Sequence, residues 1–204
     1  MKFNIQITVE EDKGCKPIMI APVIEDDEMR VGEVVDFQLT SGEKAQFMVQ
    51  RVDEDGYLCM LVDCLPKEYR MNRENTNKGG YNESDLRKLM QGEILDLFPA
   101  ALRELMLPFS NGDLLRLPTE KEIFGRNEYG KDEPESVKQF EPMKSRRNRI
   151  AFRGKDEEWE WYWLANTVKD SAATFARVYH AGAANYTAAS GVRGVRPAFK
   201  IKNL

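Results

Sequence analysis

Histidine is almost missing from this chain: His180 is the only one in 204 residues. No metal cluster or Ser-His-Asp set that draws on several histidines can be assembled, and a lone His in a polar segment reads first as a solvated side chain. A general base needs a positioned partner, and none can be named for His180, so the chain is read as not an enzyme. Cysteine is nearly as scarce. Cys15, Cys59 and Cys64 are an odd number without Cys-x-x-Cys spacing, which argues against a disulfide framework or a zinc site. Reduced thiols, no metal and no cofactor are the expectation. Cys59 in YLCMLV reads as a small core residue.

A surplus of one charge is also absent. Thirty Lys and Arg against 34 Asp and Glu leave a net charge of -4, which gives no reason to expect a nucleic-acid or membrane partner. No apolar run approaches the length of a membrane span. The opening MKFNIQITVEEDKG has neither the basic nor the continuous apolar stretch of a secretory leader. The expected location is the cytoplasm, or a virion-like particle assembled inside a cell.

The residues present divide into an N-terminal extended arm over 1–30 and one domain over 31–204. The arm carries KPIMIAPVI, where two prolines disfavour a helix. It reads as an edge strand and linker, with a homo-oligomer clasped by the arm as the other arrangement. From Gly32 the alternation of EVVDFQL, KAQFMVQRV and YLCMLV, broken by Ser41-Gly42 and by DEDG, predicts a three-strand antiparallel meander.

Two main helices are expected next. Asn82 or Ser84 can cap the first, with Leu86, Leu89, Met90, Ile94 and Leu97 on one face and Gly92 weakening without ending it. Pro99 suits the start of the second, PAALRELML, whose stripe of Leu102, Leu105 and Met106 runs to Pro108. Thr119 with Glu122 forms a capping box for a third, shorter turn that Gly125 can end. Residues 126–158 are rich in charge and poor in apolar positions, which predicts a long surface loop. Trp159, Trp161 and Trp163 then fall on one face of a strand, with Glu158, Glu160 and Tyr162 on the other. Trp163 reads as core, and Trp159 as the ring that stays partly exposed.

Four segments stand in order along the chain: Ser84-Asp85-Leu86-Arg87, Leu117-Pro118-Thr119, Tyr162-Trp163-Leu164 and Gly194-Val195-Arg196-Pro197-Ala198-Phe199. Together they resemble a family of bacterial and prophage domains of unknown function with a C-type-lectin-like fold. The likeness spans roughly residues 32–201, with Ala165-Asn166-Thr167 where the family carries Arg-Ser-Pro. It implies an α+β fold of antiparallel sheets, two main helices and long irregular loops, in which the last strand returns beside an early one. Related folds serve as calcium-dependent sugar binders, formylglycine-generating oxidases and phage receptor-binding proteins with diversified loops. The oxidase branch is disfavoured because no Cys lies late in the chain, and the calcium-binding Glu-Pro-Asn and Trp-Asn-Asp motifs are missing.

Charged clusters supply weaker readings. Asp132, Glu133, Glu135, Asp156, Glu157 and Glu158 could gather an ion but read first as a solvated acidic face. Lys144, Arg146, Arg147, Arg149 and Arg153 beside Phe152 could hold phosphates, yet DEEWE follows directly, and mutual neutralisation is preferred.

Residues 171–199 contain no Lys, Glu, Gln, Met or Trp. Those are the types that an AAC codon cannot yield when its first two bases are randomised, so a diversified loop and a tight hairpin of small residues are equal readings. A surface of Tyr, His, Asn and Thr among small residues has the make-up of a paratope. The ligand-binding candidates are therefore Tyr179, His180, Asn185, Tyr186 and Thr187, with Trp159 beside them. Arg193 or Arg196 is expected to anchor the loop through backbone carbonyls. The function expected is non-catalytic recognition of a protein or glycan. The alternatives are a structural or assembly component of a phage-like particle, and an enzyme that uses residues 126–158 as a lid.

Overall fold

The computed structural model describes residues 28–153 and 158–203. The arm over 1–30 lies outside the described residues except for its last three, as do Cys15, Asp156 and Glu157. The expected meander is present as β1 (Val34–Gln38), β2 (Lys44–Asp53) and β3 (Gly56–Leu61). Then come β4 (Tyr69–Arg70), α1 (Asp85–Met90), α2 (Ala100–Leu105), β5 (Met106–Leu107), β6 (Leu115–Arg116), α3 (Glu120–Phe124) and α4 (Arg146–Arg149). The chain closes with β7 (Ala151–Arg153), β8 (Glu158–Glu160), β9 (Tyr162–Thr167), β10 (Thr174–Val178), β11 (Ala184–Ala188), β12 (Val192–Arg193) and β13 (Ala198–Lys202).

The main sheet runs β1-β2-β3-β13-β5, with β6 also pairing β13, and every pairing in it is antiparallel. The last strand thus returns to the heart of the sheet, with Phe199 opposite Cys59. A second sheet, β11-β10-β9, leaves β11 at its edge. The architecture is mixed α+β, mostly antiparallel, with four short α-helices among the described residues.

Period-two alternation sorts the buried side chains into two cores. Tyr57, Cys59, Leu61, Phe199, Ile201, Trp163 and Phe175 join Leu86, Met90, Ile94, Phe98 and Leu102 in one. Leu58, Met60, Ala198, Tyr162, Leu164, Ala176 and Val178 join Ile123, Phe140, Met143 and Ala151 in the other. Strands β3, β9, β10 and β13 contribute to both cores, which explains why YLCMLV is apolar throughout. Burying each large side chain contributes roughly 1.5–3 kcal/mol.

The helices follow their caps but stop early. Ser84 Oγ accepts from the Arg87 N–H at 3.1 Å, and the Thr119–Glu122 capping box closes α3 against Gly125, which sits at φ 78. The first helix was expected to pass Gly92, yet it ends at Met90. Gln91 instead gives its side chain to β6, donating to Leu115 O at 2.6 Å and accepting from Leu114 N at 2.9 Å. The next residue is a poor helix former, so little opposes the break. Likewise α2 ends at Leu105, and Met106 and Leu107 pair with β13 rather than extending the helical stripe. Leu107 precedes Pro108, a position pushed toward extended backbone.

Two further expectations are corrected. Residues 126–153 are not a loose loop: Phe140 and Met143 are buried in the second core, and Phe140 N donates to Glu122 O at 2.8 Å. Glu133, offered above as a solvated acid, accepts from Lys121 N, Asn127 Nδ2 and Asn166 Nδ2. The three Trp do not share one strand either. β8 ends at Glu160, β9 starts at Tyr162, and Trp161 lies in the break, where Gly194 N donates to its carbonyl at 2.9 Å. The other face divides as well: Tyr162 lies wholly inside and Glu160 is held by Arg153 at 2.5 Å, whereas Glu158 is exposed.

Candidate functional site

Strands β10 and β11 form a hairpin in exact register from Thr174 opposite Ala188 to Val178 opposite Ala184. Its tip closes through Tyr179 N to Ala183 O at 2.8 Å and Gly182 N to Tyr179 O at 2.7 Å. Gly182 has φ 74, and a Cβ there would meet Arg146 O at 2.9 Å, so only glycine fits without strain. The tip is also gripped from outside. Arg146 Nε donates to Ala181 O at 2.8 Å, and Arg149 Nε donates to Gly182 O at 3.0 Å. Of the basic cluster expected to be neutralised by neighbouring acids, Arg153 is paired with acids, whereas Arg146 and Arg149 are engaged by backbone carbonyls.

Against this tip stands a group of rings. Trp161 Nε1 donates to His180 Nδ1 at 2.6 Å, which fixes the imidazole ring against the indole. The two rings are tilted by only 17°. Trp159, 65% exposed, lies nearly parallel to His180 with centroids 5.7 Å apart. Tyr179 completes the group at 5.1 Å from Trp161. Rings locked by a hydrogen bond and by a braced turn offer contact area with little entropy left to lose.

Beneath the rings sit two arginines. The Arg177 guanidinium lies 3.9 Å from the centre of the Trp161 ring and that of Arg193 lies 5.1 Å away. Both are cation–π contacts. Arg177 Nε and Nη2 donate to Asn185 Oδ1 at 3.2 and 3.1 Å, and Arg193 Nη2 reaches Thr187 Oγ1 at 3.4 Å. Arg177 Nη1 and Arg193 Nε are buried without a hydrogen-bond partner among the described residues. Burial, and then the neighbouring Arg193 charge, pull the Arg177 pKa down to about 10.

The expected ligand residues are thus only partly brought together. Trp159, Tyr179 and His180 share one surface. Asn185 and Thr187 point to the arginines below it, whereas Tyr186 turns to the opposite face and packs edge-on against Tyr129 at 5.0 Å. Strand alternation is the cause, because β11 is a strand and not a loop. Sequence reasoning missed Trp161 and Arg177 as site members, and Tyr129 altogether. Arg177 did carry a signal: a charged residue two places from Phe175 faces the same way as a core ring.

Among the described residues no three His, Cys, Asp or Glu side chains are gathered to hold a metal ion, and no helix is long and apolar enough to cross a membrane. Cys59 and Cys64 are free thiols that burial pushes up, away from the thiolate form.

A family described as a domain of unknown function, DUF6273, matches residues 55–203, and the chain belongs to that family. No curated protein and no solved structure matches it.

Proposed function

We propose that this member of the DUF6273 family is a non-catalytic binding protein that presents the β10–β11 hairpin to a protein or glycan ligand. The supporting observation is the braced ring group, in which exposed Trp159 lies beside half-buried Tyr179 and His180 on a tip held by Arg146 and Arg149. Such a surface is stiff and amphipathic, which suits recognition. Glu120 fits a strut better than a general acid. Burial raises its pKa, but its carboxylate accepts the N–H groups of Tyr129 and Gly130, the latter at 2.7 Å. A C-type-lectin-like fold belongs to the same reading, supported by the return of β13 beside β3, and a bacterial or prophage recognition task is proposed with it.

The test is binding of the full chain to panels of immobilised oligosaccharides and of displayed peptides, repeated with Trp159→Ala and Tyr179→Ala. The expected result is a ligand whose affinity falls at least about tenfold, or about 1.4 kcal/mol, in both variants. Unchanged binding in both, with circular dichroism showing an intact fold, would sink the reading.

A further inference from the structure

On the other face of the hairpin, Tyr186 and Tyr129 wall a cleft of about 420 Å³, floored by Lys169, Asp170, Ser171 and Thr174. The geometry points to this cleft as a binding site for one pyranose ring of a neutral glycan, engaged without a metal ion. The inference rests on the hairpin reading above only in that Tyr186 belongs to the hairpin.

The volume is in the range of small-ligand sites, about 300–1,000 Å³. Its walls are two phenol rings 5.0 Å apart at 60°, which make a corner. Tyr129 is 37% exposed and Tyr186 48%. A pyranose has one flat face of C–H bonds and a rim of hydroxyls. The flat face can lie on one ring while its edge meets the other, leaving the hydroxyls toward the floor.

Both rings stand on fixed backbone. The N–H groups of Tyr129 and Gly130 bond the Glu120 carboxylate, Lys169 N donates to Tyr129 O at 2.9 Å, and Gly130 pairs with Val168. Tyr186 lies opposite Ala176 in register, with its N–H on Asn185 Oδ1 at 2.7 Å. Little ordering remains to be done when a ligand arrives.

The floor carries hydrogen-bonding capacity that is unused among the described residues. Thr174 Oγ1 is buried and has no partner among the described residues. It projects from the same face of the sheet as Tyr186, since Thr174 and Ala176 are two apart on β10 and Ala176 opposes Tyr186. Ser171 Oγ accepts from Ala173 N at 3.2 Å, which leaves its O–H free to donate. Asp170 adopts φ 56, and its carboxylate makes no ion pair among the described residues. A carboxylate beside two hydroxyls supplies the mixture of acceptors and donors that vicinal sugar hydroxyls satisfy together.

Charge selects the class of sugar. Lys169 is engaged by Asp132 at 2.8 Å and Glu128 by Arg126, so Asp170 is left to set the sign of the cleft. An unpaired carboxylate opposes a uronic or sialic acid and accepts from a neutral sugar.

The experiment titrates the full chain, with EDTA present, against gluco-, galacto-, manno- and N-acetylglucosamine oligosaccharides, their uronate and sialyl counterparts, and a tyrosine-free peptide library. The expected result is saturable binding of at least one neutral oligosaccharide, weakened about tenfold or more by Tyr129→Ala and by Tyr186→Ala, and unaffected by Trp159→Ala. Asp170→Asn should let the uronate form bind. No neutral sugar bound at about 10 mM by the folded protein overturns the inference. Acidic sugars or peptides as the only ligands overturn it too. Loss with Trp159→Ala but not with Tyr129→Ala overturns the cleft while upholding the hairpin tip, and loss with none of Tyr129→Ala, Tyr186→Ala, Trp159→Ala and Tyr179→Ala overturns both readings.

Discussion

Arg196 and Arg177 lie nineteen positions apart in sequence, Arg177 on β10 and Arg196 between β12 and β13, and both are buried, at 1% and 7% exposure, without a carboxylate partner among the described residues. Arg196 Nε donates to Leu61 O at 2.6 Å, and its Nη1 reaches Asn148 O at 2.9 Å and Tyr162 Oη at 3.2 Å. It joins β3, β9 and the segment before β7 around the main sheet. Among the described residues Arg177 has one acceptor, Asn185, a ring above it and a second guanidinium close by. The first arginine resembles a mortar joint, the second a charge kept at some cost. Three of the five buried polar side-chain atoms left without partners among the described residues belong to Thr174, Arg177 and Arg193, at or beside the hairpin sheet. Unused bonding capacity therefore concentrates where contact with another molecule is proposed, because the fold itself draws no stability from it.

The largest expected effect comes from breaking the joint. Arg196→Met should cost about 3 kcal/mol in urea unfolding at constant slope, since it strips partners from buried carbonyls. A loss below about 1 kcal/mol would erase the contrast.

A middle-sized effect is expected at Glu120, which ties the Tyr129 strap to α3. Glu120→Ala should cost about 2 kcal/mol by leaving buried N–H groups unpaired, whereas Glu120→Gln keeps an acceptor and should cost less. Burial raises this carboxyl above its ordinary 4.5, so the folded protein holds the proton more readily than the unfolded chain does. Its contribution to stability therefore grows as pH falls from neutral through the raised value, and levels off below 4.5. Unfolding midpoints at pH 7 and at pH 5 check this, because Glu120→Gln should remove that component.

The smallest effect sharpens the other side of the comparison. Arg177→Met should leave stability within about 1 kcal/mol of the parent, or raise it, since an apolar side chain replaces a charge with an unmet N–H. A calorimetric loss comparable to that of Arg196→Met would show that the two sites are alike.

Elements whose cause is local were legible in the sequence. The meander follows from alternation, α1 from the Ser84 cap and α3 from the Thr119–Glu122 box. Trp159 and Trp163 separate, one exposed and one core, as their flanking residues suggest. What failed depends on partners distant in sequence. The end of α1 is fixed by Leu114 and Leu115, and residues 126–153 are held by backbone groups at Gly182 and by Asn166. Reading Tyr179 to Thr187 as one loop places Asn185, Tyr186 and Thr187 on a single surface. Small residues such as Ala184 and Ala188 carry no hydrophobic alternation, so the strand that parts them leaves no pattern to read.

The grip on the hairpin tip has one more consequence. Arg146 and Arg149 hold Ala181 and Gly182 by their carbonyl oxygens, a group that every amino acid possesses. The brace does not register which side chains the tip carries, except for the glycine that its backbone angle requires. Selection can therefore rewrite the vocabulary of the contact surface while its posture stays the same.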